Sequence, residues 1–191
     1  MARRKDHTRE ELAQLAIKAG RELIIEKGTS ALTARNVASA IGYTPGTLYN
    51  VFDNIDELAA AINIESMQRF EEQLRRIQEP DEATHARVRS IAQAYLDFQK
   101  EEPQLWSLLF AIPLDYHSEA YHQAIHAIFD QVTAAMAPLS ESPTLARQKA
   151  KILWSTLHGI CLLQQSGKLN VSEADAPEEL VAHFLDQFLK I

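Results

Sequence analysis

Between residues 44 and 50 the chain carries side chains that suit hydrogen bonding to an anionic groove. Two threonines, a tyrosine, an asparagine and a glycine fall on the exposed side of one predicted short helix, namely Thr44, Gly46, Thr47, Tyr49 and Asn50. None of these residues is acidic, and the glycine would let another backbone come close. Hydroxyl and amide donors of this kind commonly bind phosphate oxygens and base edges. The pattern predicts contact with the phosphate-lined groove of duplex DNA.

The elements that must position these side chains are two short helices joined by a tight turn. Val37, Ala38 and Ile41 recur at helical spacing and share one face of the first helix, and Leu48 returns an apolar residue from the second helix. Gly42 follows the first helix, where a left-handed backbone is easiest for glycine. This arrangement predicts a helix-turn-helix with one small shared core.

The second helix of the pair has a defined first residue. Thr44 can cap this helix by accepting a backbone N–H through its hydroxyl. Pro45 falls at the first helical position, where a missing N–H costs nothing. Both residues predict that the second helix begins at Pro45.

The segment 33–53, TARNVASAIGYTPGTLYNVFD, resembles the signature of the TetR family of bacterial one-component transcription regulators. The shared features are a threonine that opens the first helix of the pair, an apolar residue followed by alanine, the glycine turn, the run Gly46–Tyr49 and the later aromatic residue Phe52. The resemblance covers roughly residues 8–60 and implies binding to double-stranded DNA. The residues that we assign to DNA contact are Thr33, Ala34, Arg35, Thr44, Pro45, Gly46, Thr47, Tyr49 and Asn50.

Two positions depart from the family's pattern. Many relatives carry a lysine where Ile55 stands and a histidine or similar polar group where Val51 stands, and the resemblance implies phosphate contacts there. The basic leader Arg3-Arg4-Lys5, with Arg9 behind it, is a candidate substitute, because lysine and arginine neutralise phosphates. The alternative is a frayed terminus that only aids solubility.

Charge is distributed unevenly along the chain. The 191 residues carry a formal net charge of −7, yet residues 1–54 hold eight lysines and arginines against six acids, and residues 55–191 hold 11 against 20. This asymmetry is typical of a DNA-binding head on an acidic body. The family resemblance implies that the remaining chain senses a ligand and dimerises, so we expect a helix-turn-helix DNA-binding domain at 1–54 and a ligand-sensing and dimerisation domain at 55–191.

The single cysteine, Cys161, excludes an intramolecular disulfide. No apolar run approaches the roughly 18 residues that a membrane-spanning helix needs, and no apolar stretch follows the Met-Ala-Arg-Arg-Lys start. We expect a soluble, cytoplasmic protein with no membrane partner.

Apolar residues recur at helical spacing almost throughout, without the alternation of strands and without an internal repeat. Proline, glycine and capping residues predict a first helix that ends at Gly28 and later helices at about 56–78, 84–100, 103–112, 118–137, 143–165 and from 177 onward, besides the two short ones. The predicted fold class is all-α, with about nine helices that form an N-terminal helix-turn-helix domain and a C-terminal helical bundle.

The last two helices carry more apolar surface than one protomer should leave facing water. Ser155 and Gly159, four residues apart, would also let two helices approach closely. A self-contained core is the alternative, whereas the family resemblance implies a four-helix interface built by two protomers. The residues that we assign to this homodimer interface are Leu153, Leu157, Ile160, Phe184, Leu185 and Phe188.

The run Trp-Ser-Thr-Leu-His-Gly resembles, through Trp154, His158 and Gly159, the Trp-His-Gly motif that names one group of regulatory domains in this family. The resemblance implies a small-molecule effector bound by the C-terminal helices. Ligand sites are mostly apolar and aromatic with a few polar groups. The candidate walls are Tyr95, Phe98, Trp106, Phe110, Tyr116, Tyr121, Trp154 and His158, each of which is also compatible with plain core.

Three histidines raise a different hypothesis. His122 and His126 are four residues apart on one helix face, a spacing that can place two imidazoles on one metal ion, and His117 is near them in sequence. The alternatives are solvated surface histidines, or one histidine that titrates near neutral pH. We assign no metal site and no cofactor.

The sequence offers little for an enzyme. It has no Gly-rich phosphate loop and no nucleophile elbow, and Cys161 lies in an apolar helical run, where an inert thiol is the default. The expected function is a ligand-responsive transcriptional repressor that binds a palindromic operator as a dimer and is released by a small apolar or amphipathic effector. The alternatives are an architectural DNA-binding protein without a ligand, and a helical enzyme or metal sensor.

Overall fold

A computed structural model describes residues 7–77, 84–112, 118–171 and 173–190. In these ranges the chain forms nine α-helices and no strand, which confirms the predicted all-α fold. None of the nine combines the length and the apolar character that crossing a bilayer requires. The helices are α1 (Arg9–Lys27), α2 (Ala34–Ala40), α3 (Pro45–Leu48), α4 (Ile55–Arg76), α5 (Thr84–Glu101), α6 (Pro103–Ala111), α7 (Glu119–Met136), α8 (Pro143–Gln165) and α9 (Pro177–Phe188).

Local signals set both ends of α1. The Thr8 hydroxyl accepts the backbone N–H of Glu11 at 3.2 Å, and the Glu11 carboxylate accepts the backbone N–H of Thr8 at 2.8 Å. This reciprocal cap satisfies two of the N–H groups that the start of a helix leaves without partners. Gly28 ends α1 with φ 82°, a left-handed backbone that glycine adopts without strain.

α1 packs closely on the first part of α4. A Cβ at Gly20 would lie 2.8 Å from Cδ1 of Ile62 and 3.1 Å from Cδ1 of Leu32, so a larger residue would require movement. Gly20 and Ile24 are both buried on this side of α1. α1 therefore braces the helix that follows the helix-turn-helix.

The chain divides into two compact units. Unit 1 lies within Met1–Ser66 and Gln104–Gln123, and unit 2 lies within Met67–Pro103 and Ala124–Ile191. α4 and α7 each run from one unit into the other, whereas α6, from Gln104 on, belongs to the same unit as α1, α2 and α3. The division at residue 54 into a DNA-binding and a sensing domain stays a prediction about function.

Three helices, α5, α8 and α9, build much of the core of unit 2. Arg89 of α5 pairs with Asp186 of α9 at 2.6 Å on the surface of this core. An exposed pair of this kind contributes little to stability, so the apolar core supplies most of the stabilisation. The buried side chains of the three helices include Val88, Ile91, Ala92, Ala146, Ala150, Leu153, Leu157, Cys161, Val181 and Leu185.

Candidate functional site

The predicted helix-turn-helix is formed by α2 and α3, which share one core. Val37, Ala38 and Leu48 are buried, and Ile41 is half-buried at the end of α2. Gly42 has φ 77°, the left-handed backbone expected at the turn, and no atom lies within 4 Å of the position of its missing Cβ. Backbone conformation, and not crowding, therefore accounts for the glycine.

Both helices of the motif begin with a threonine cap. The Thr33 hydroxyl accepts the backbone N–H of Asn36 at 3.2 Å. The Thr44 hydroxyl accepts the backbone N–H of Thr47 at 3.3 Å and lies 3.0 Å from the Thr47 hydroxyl. Pro45 is the first residue of α3, as predicted. The Thr44 cap and Pro45 therefore give the four-residue helix α3 a defined start.

The outward side of α3 is open to solvent. Tyr49 is 51% exposed, while Thr47 is half-buried beside its cap. A Cβ at Gly46 would meet only the Thr44 hydroxyl, at 3.8 Å, which is ordinary contact. Nothing within the described chain therefore requires glycine at this position. The other exposed residues of the assigned surface here are Thr44, Pro45, Gly46 and Asn50.

The assigned surface extends to the start of α2. Thr33 and Arg35 are exposed, and Ala34 is half-buried. The structure thus brings the nine assigned residues onto the two helices of one motif and its flanks. Their contact with DNA stays a prediction.

Two contacts that sequence reasoning missed hold the start of the described chain beside this motif. Nδ1 of His7 lies 2.7 Å from the hydroxyl of Tyr43, in the turn between α2 and α3. Nη2 of Arg9 donates to the carbonyl oxygen of Val51 at 3.4 Å, just after α3. The partners are 36 and 42 residues apart, so no local pattern could signal them. The leader Arg3-Arg4-Lys5 lies outside the described residues.

Ile55, which stands where relatives carry lysine, is the first residue of α4 and is half-buried. The chain caps this helix itself. Oδ1 of Asn54 accepts the backbone N–H of Glu57 at 2.9 Å, and the Glu57 carboxylate accepts the backbone N–H of Asp53. The first turn also contains Asp56, so it carries two acidic side chains and no basic one. This turn therefore offers no side-chain cation to a phosphate.

Four of the candidate ligand walls belong to unit 2 and are joined by ring contacts. The Tyr95 hydroxyl lies 3.2 Å from Nδ1 of His158, and the His158 ring stacks on Trp154 with 5.8 Å between centroids. Phe70 contacts both Phe98 and Tyr95, at 5.4 and 6.1 Å between centroids. Burial lowers the pKa of His158, which favours the neutral imidazole. Phe70 was not identified from the sequence, although it lies on the apolar stripe of α4.

Three other candidate walls belong to unit 1. Trp106 is buried and contacts the ring of Phe110, which is itself exposed, at 5.2 Å between centroids. Tyr121 is buried, and its hydroxyl donates to the carbonyl oxygen of Leu109 at 3.3 Å. Burial raises the pKa of this hydroxyl. Tyr116 lies outside the described residues, so a ligand wall that combines all eight residues stays a prediction.

Three residues assigned to the dimer interface fill the core of their own protomer instead. Leu153, Leu157 and Leu185 are 1%, 2% and 2% exposed, so they have no side-chain surface left for a second chain. The physical reason is that α8 and α9 pack on α5 of the same chain and bury these leucines there. The other three assigned residues keep part of their surface and are Ile160, Phe184 and Phe188.

The opposite side of α8 carries apolar residues that the protomer leaves uncovered. Ile152 and Leu162 are 49% and 51% exposed. Gly159 has no atom within 4 Å of the position of its missing Cβ. We call this surface, formed by Ile152, Ser155, Gly159, Leu162 and Leu163, the α8 outer face. The pair Ser155 and Gly159 was the sequence signal for this face.

The three histidines do not form part of a metal-binding cluster within the described residues. His122 and His126 are exposed on α7, and His117 lies outside the described residues. Within those described ranges, no three His, Cys, Asp or Glu side chains gather where they would hold a metal ion. Burial raises the pKa of the Cys161 thiol to about 11, so little thiolate forms near neutral pH.

Two parts of the chain match protein families. Residues 16–62 match the family described as bacterial regulatory proteins, tetR family. Residues 88–188 match the family described as tetracyclin repressor-like, C-terminal domain. The first match contains the helix-turn-helix, and the second contains the aromatic residues of unit 2 that follow α4.

Individual proteins resemble the chain over most of its length. An uncharacterised HTH-type transcriptional regulator from Mycobacterium tuberculosis is 26% identical over 167 residues, which are 83% of this chain and 76% of that protein. A protein of unknown function from Rhodococcus sp. RHA1 has a TM-score of 0.78 at 21% identity, with 99% of this chain and 98% of that chain covered. A TetR variant from Acinetobacter baumannii AYE, in complex with minocycline, has a TM-score of 0.68 at 17% identity, with 92% of each chain covered.

The two solved structures share the fold of this chain. The two family matches cover the helix-turn-helix and most of the remaining chain. The family that matches residues 16–62 is one of bacterial regulatory proteins. The chain belongs to the TetR family of bacterial transcription regulators.

Proposed function

We propose that the protein is a dimeric, ligand-responsive repressor that binds a palindromic operator and is released by a small apolar or amphipathic effector. The observation that carries the proposal is the exposed surface from Thr44 to Asn50. This surface contains no acidic residue and lies on a helix with a fixed start and a left-handed turn before it. Such a rigid set of donors is what groove recognition needs.

Different residues would contact the phosphates and the base edges of the DNA. Tyr49 is exposed, and its hydroxyl suits a phosphate oxygen, a contact that fixes position without reading sequence. Thr47 is oriented by its contacts with Thr44, so its hydroxyl and methyl suit a base edge. Arg9 lies beside the end of α3 and adds a positive charge near the DNA backbone.

The α8 outer face supports the proposed dimerisation. Its apolar residues lack cover in the protomer, and the empty space over Gly159 would let a partner helix approach closely. A two-fold axis beside α8 would pair this face with itself, as in isologous interfaces. Phe184 and Phe188 of α9, stacked at 4.8 Å between centroids and half-buried, keep further apolar surface partly exposed. The two recognition helices of such a dimer would read half-sites about 34–36 Å apart.

The effector part of the proposal draws on a relative and on the aromatic residues of unit 2. The TetR variant of known structure is in complex with minocycline. In this chain the ring contacts among Tyr95, Trp154 and His158 provide aromatic surface with few polar groups, as ligand sites commonly do. A bound effector favours a conformer that holds the recognition helices off their spacing on DNA, and α4 is the lever that the family implies. By linkage, operator DNA weakens effector binding by the same factor.

Selection of bound duplexes from a random library tests the DNA-binding part. The selected duplex is then titrated across a salt series, alongside a shuffled duplex of the same composition. The proposal expects a two-fold symmetric winner with half-sites about one helical turn apart and a steep salt dependence. An unenriched library, with equal binding to the shuffled duplex, contradicts it.

A further inference from the structure

A buried amide lies in the part of unit 1 where α4, α6 and α7 meet. Asn63 of α4 is 0% exposed. Its Nδ2 donates to the carbonyl oxygen of Leu108 in α6 at 3.0 Å. The same side chain is hydrogen-bonded to the hydroxyl of Tyr121, and that hydroxyl donates to the carbonyl oxygen of Leu109. Asn63 and Tyr121 therefore cap two neighbouring carbonyls near the end of α6, where a helix runs out of its own donors.

The other end of this amide has no partner. Oδ1 of Asn63 is buried without a hydrogen bond to any described residue. The amide cannot simply be turned over, because its nitrogen faces the Leu108 carbonyl and a flipped oxygen would meet another acceptor. A buried acceptor that loses its water partners without replacement is costly, and most such groups in folded proteins are satisfied. The position therefore calls for a donor that comes from outside the described chain.

The surroundings restrict what that donor can be. In the described part of the chain the buried polar residues are Asn63 and Ser66, and no charged residue is buried. The Ser66 hydroxyl donates to the carbonyl oxygen of Ile62 one turn earlier in α4. An ionised carboxylate or ammonium group would thus meet no wholly buried charged residue here, and burying it would cost far more than one hydrogen bond returns. The matching group is neutral and carries an O–H or N–H.

We propose that Oδ1 of Asn63 is the polar anchor for a neutral effector that bears a hydroxyl or an amide N–H on an otherwise apolar frame. This inference rests on the proposed effector-responsive function and names the chemical class of the effector. Asn63 would also link the effector to α6. Its Oδ1 would accept the hydrogen bond from the effector, while its Nδ2 donates to the carbonyl oxygen of Leu108 near the end of α6. The competing occupant of the same position is a single buried water.

Matched small molecules test the anchor on the full-length chain. The probes are a set of apolar frames, including alkylphenols of increasing chain length, each prepared as a hydroxyl compound, its methyl ether and its carboxylate. Binding is measured by calorimetry on the wild type, on Asn63→Leu, which keeps the shape without polar atoms, and on Ser66→Ala as a control for loss of a buried hydroxyl. The hydroxyl member should bind about three- to tenfold more tightly than its ether, and the carboxylate should bind more weakly than both.

The variants decide where the preference arises. The hydroxyl preference should vanish in Asn63→Leu and persist in Ser66→Ala. A preference that survives in Asn63→Leu, or a carboxylate that matches the hydroxyl compound, overturns the proposal. No measurable binding by any frame also overturns it for this class of effector.

A crystal structure of the wild type soaked with the tightest hydroxyl probe, or with the shortest alkylphenol where none binds, gives a readout that does not depend on the folding of a variant. The hydroxyl oxygen should lie about 2.7–3.0 Å from Oδ1. The proposed anchor is overturned if a water occupies this position while the probe is bound beside it. It is also overturned if a water occupies the position and no probe is bound after a soak at saturating concentration. Operator binding is measured separately without any probe, so a failed anchor leaves the DNA-binding proposal standing, and failed operator binding does not alter the probe preference.

Discussion

The hydroxyl of Tyr95 on α5 lies 3.2 Å from Nδ1 of His158 on α8, so a hydrogen bond joins two of the helices that build the core of unit 2. Burial lowers the pKa of His158. The imidazole is consequently neutral in the folded chain at pH values where the unfolded chain would already bind a proton. Stability and pH are therefore coupled through this residue.

The stability of the protein should fall as the pH drops below the unfolded histidine pKa of about 6.5. The unfolded chain then takes up a proton that the folded chain excludes. The free energy of unfolding therefore decreases as the pH falls from the unfolded pKa of His158 toward its lower folded pKa. His158→Gln should show a shallower loss of the urea midpoint between pH 7.5 and pH 5. Tyr95→Phe should keep the wild-type slope, because burial and not the hydrogen bond causes the shift. Parallel curves for the wild type and His158→Gln would refute this coupling.

Two glycines of the helix-turn-helix should respond in opposite ways to the same added methyl group. Gly42→Ala should cost about 1–2 kcal/mol of unfolding free energy, because φ 77° forces a side chain into the left-handed region. Gly46→Ala should keep or slightly raise stability, since a Cβ fits there and alanine favours a helix by up to about 1 kcal/mol. Gly46→Ala should instead weaken operator binding. Urea unfolding and operator titration of both variants check the contrast, and a destabilised Gly46→Ala would contradict the assignment.

The sequence predicted the helix-turn-helix in detail because its signals are local. Thr33, Gly42, Thr44 and Pro45 each act within one turn of their own position, and the structure places their caps, the left-handed φ and the helix start as expected. The all-α fold was predictable for the same reason, since helical periodicity depends on near neighbours.

The proposed dimer surface and the polar groups of the candidate site could not be predicted in the same way. Helical periodicity shows that α8 has apolar residues on two sides, but it does not show which side packs against the same chain. The prediction that Leu153 and Leu157 contact a partner is therefore wrong, since both are buried within their own protomer. The contacts of His7 and Arg9 join residues 36 and 42 positions apart, and such pairs depend on tertiary packing. Asn63 left a usable signal, because a polar residue stands on the apolar stripe of α4.

The phenol of Tyr49 and the hydroxyl of Thr47 should make separable contributions to DNA binding. Tyr49→Phe should weaken binding to the selected operator and to random duplex alike, by about three- to tenfold, because one phosphate hydrogen bond is lost. Thr47→Ala should weaken operator binding more than random binding and relax the preferred base at one position. Fluorescence anisotropy on both duplexes measures the ratio. An equal loss of affinity for both duplexes in Thr47→Ala would mean that Thr47 contacts the DNA backbone and not a base.

Arg9 should contribute a charge to the DNA contact in place of the absent lysine at position 55. Arg9→Ala should reduce the slope of log affinity against log salt by about 1, because one phosphate loses its neutralising partner. Lys27→Ala removes the same charge from the other end of α1 and is the matched control. Its slope should equal that of the wild type. An unchanged slope for Arg9→Ala would limit this side chain to its contact with the Val51 carbonyl.

The two sides of α8 should separate assembly from folding. Leu162→Glu places a charge on the α8 outer face, where the side chain is 51% exposed in the protomer, so the chain should stay folded and become monomeric. Operator affinity should fall with it, because a monomer holds one recognition helix and loses the gain from joining two half-sites. Leu153→Ala, on the buried side, should instead cost about 2–5 kcal/mol of unfolding free energy and leave the dimer mass unchanged in the folded fraction. Sedimentation velocity and urea unfolding of both variants distinguish the two sides. A dimer that survives Leu162→Glu together with Ile152→Glu would place the interface elsewhere on the protomer.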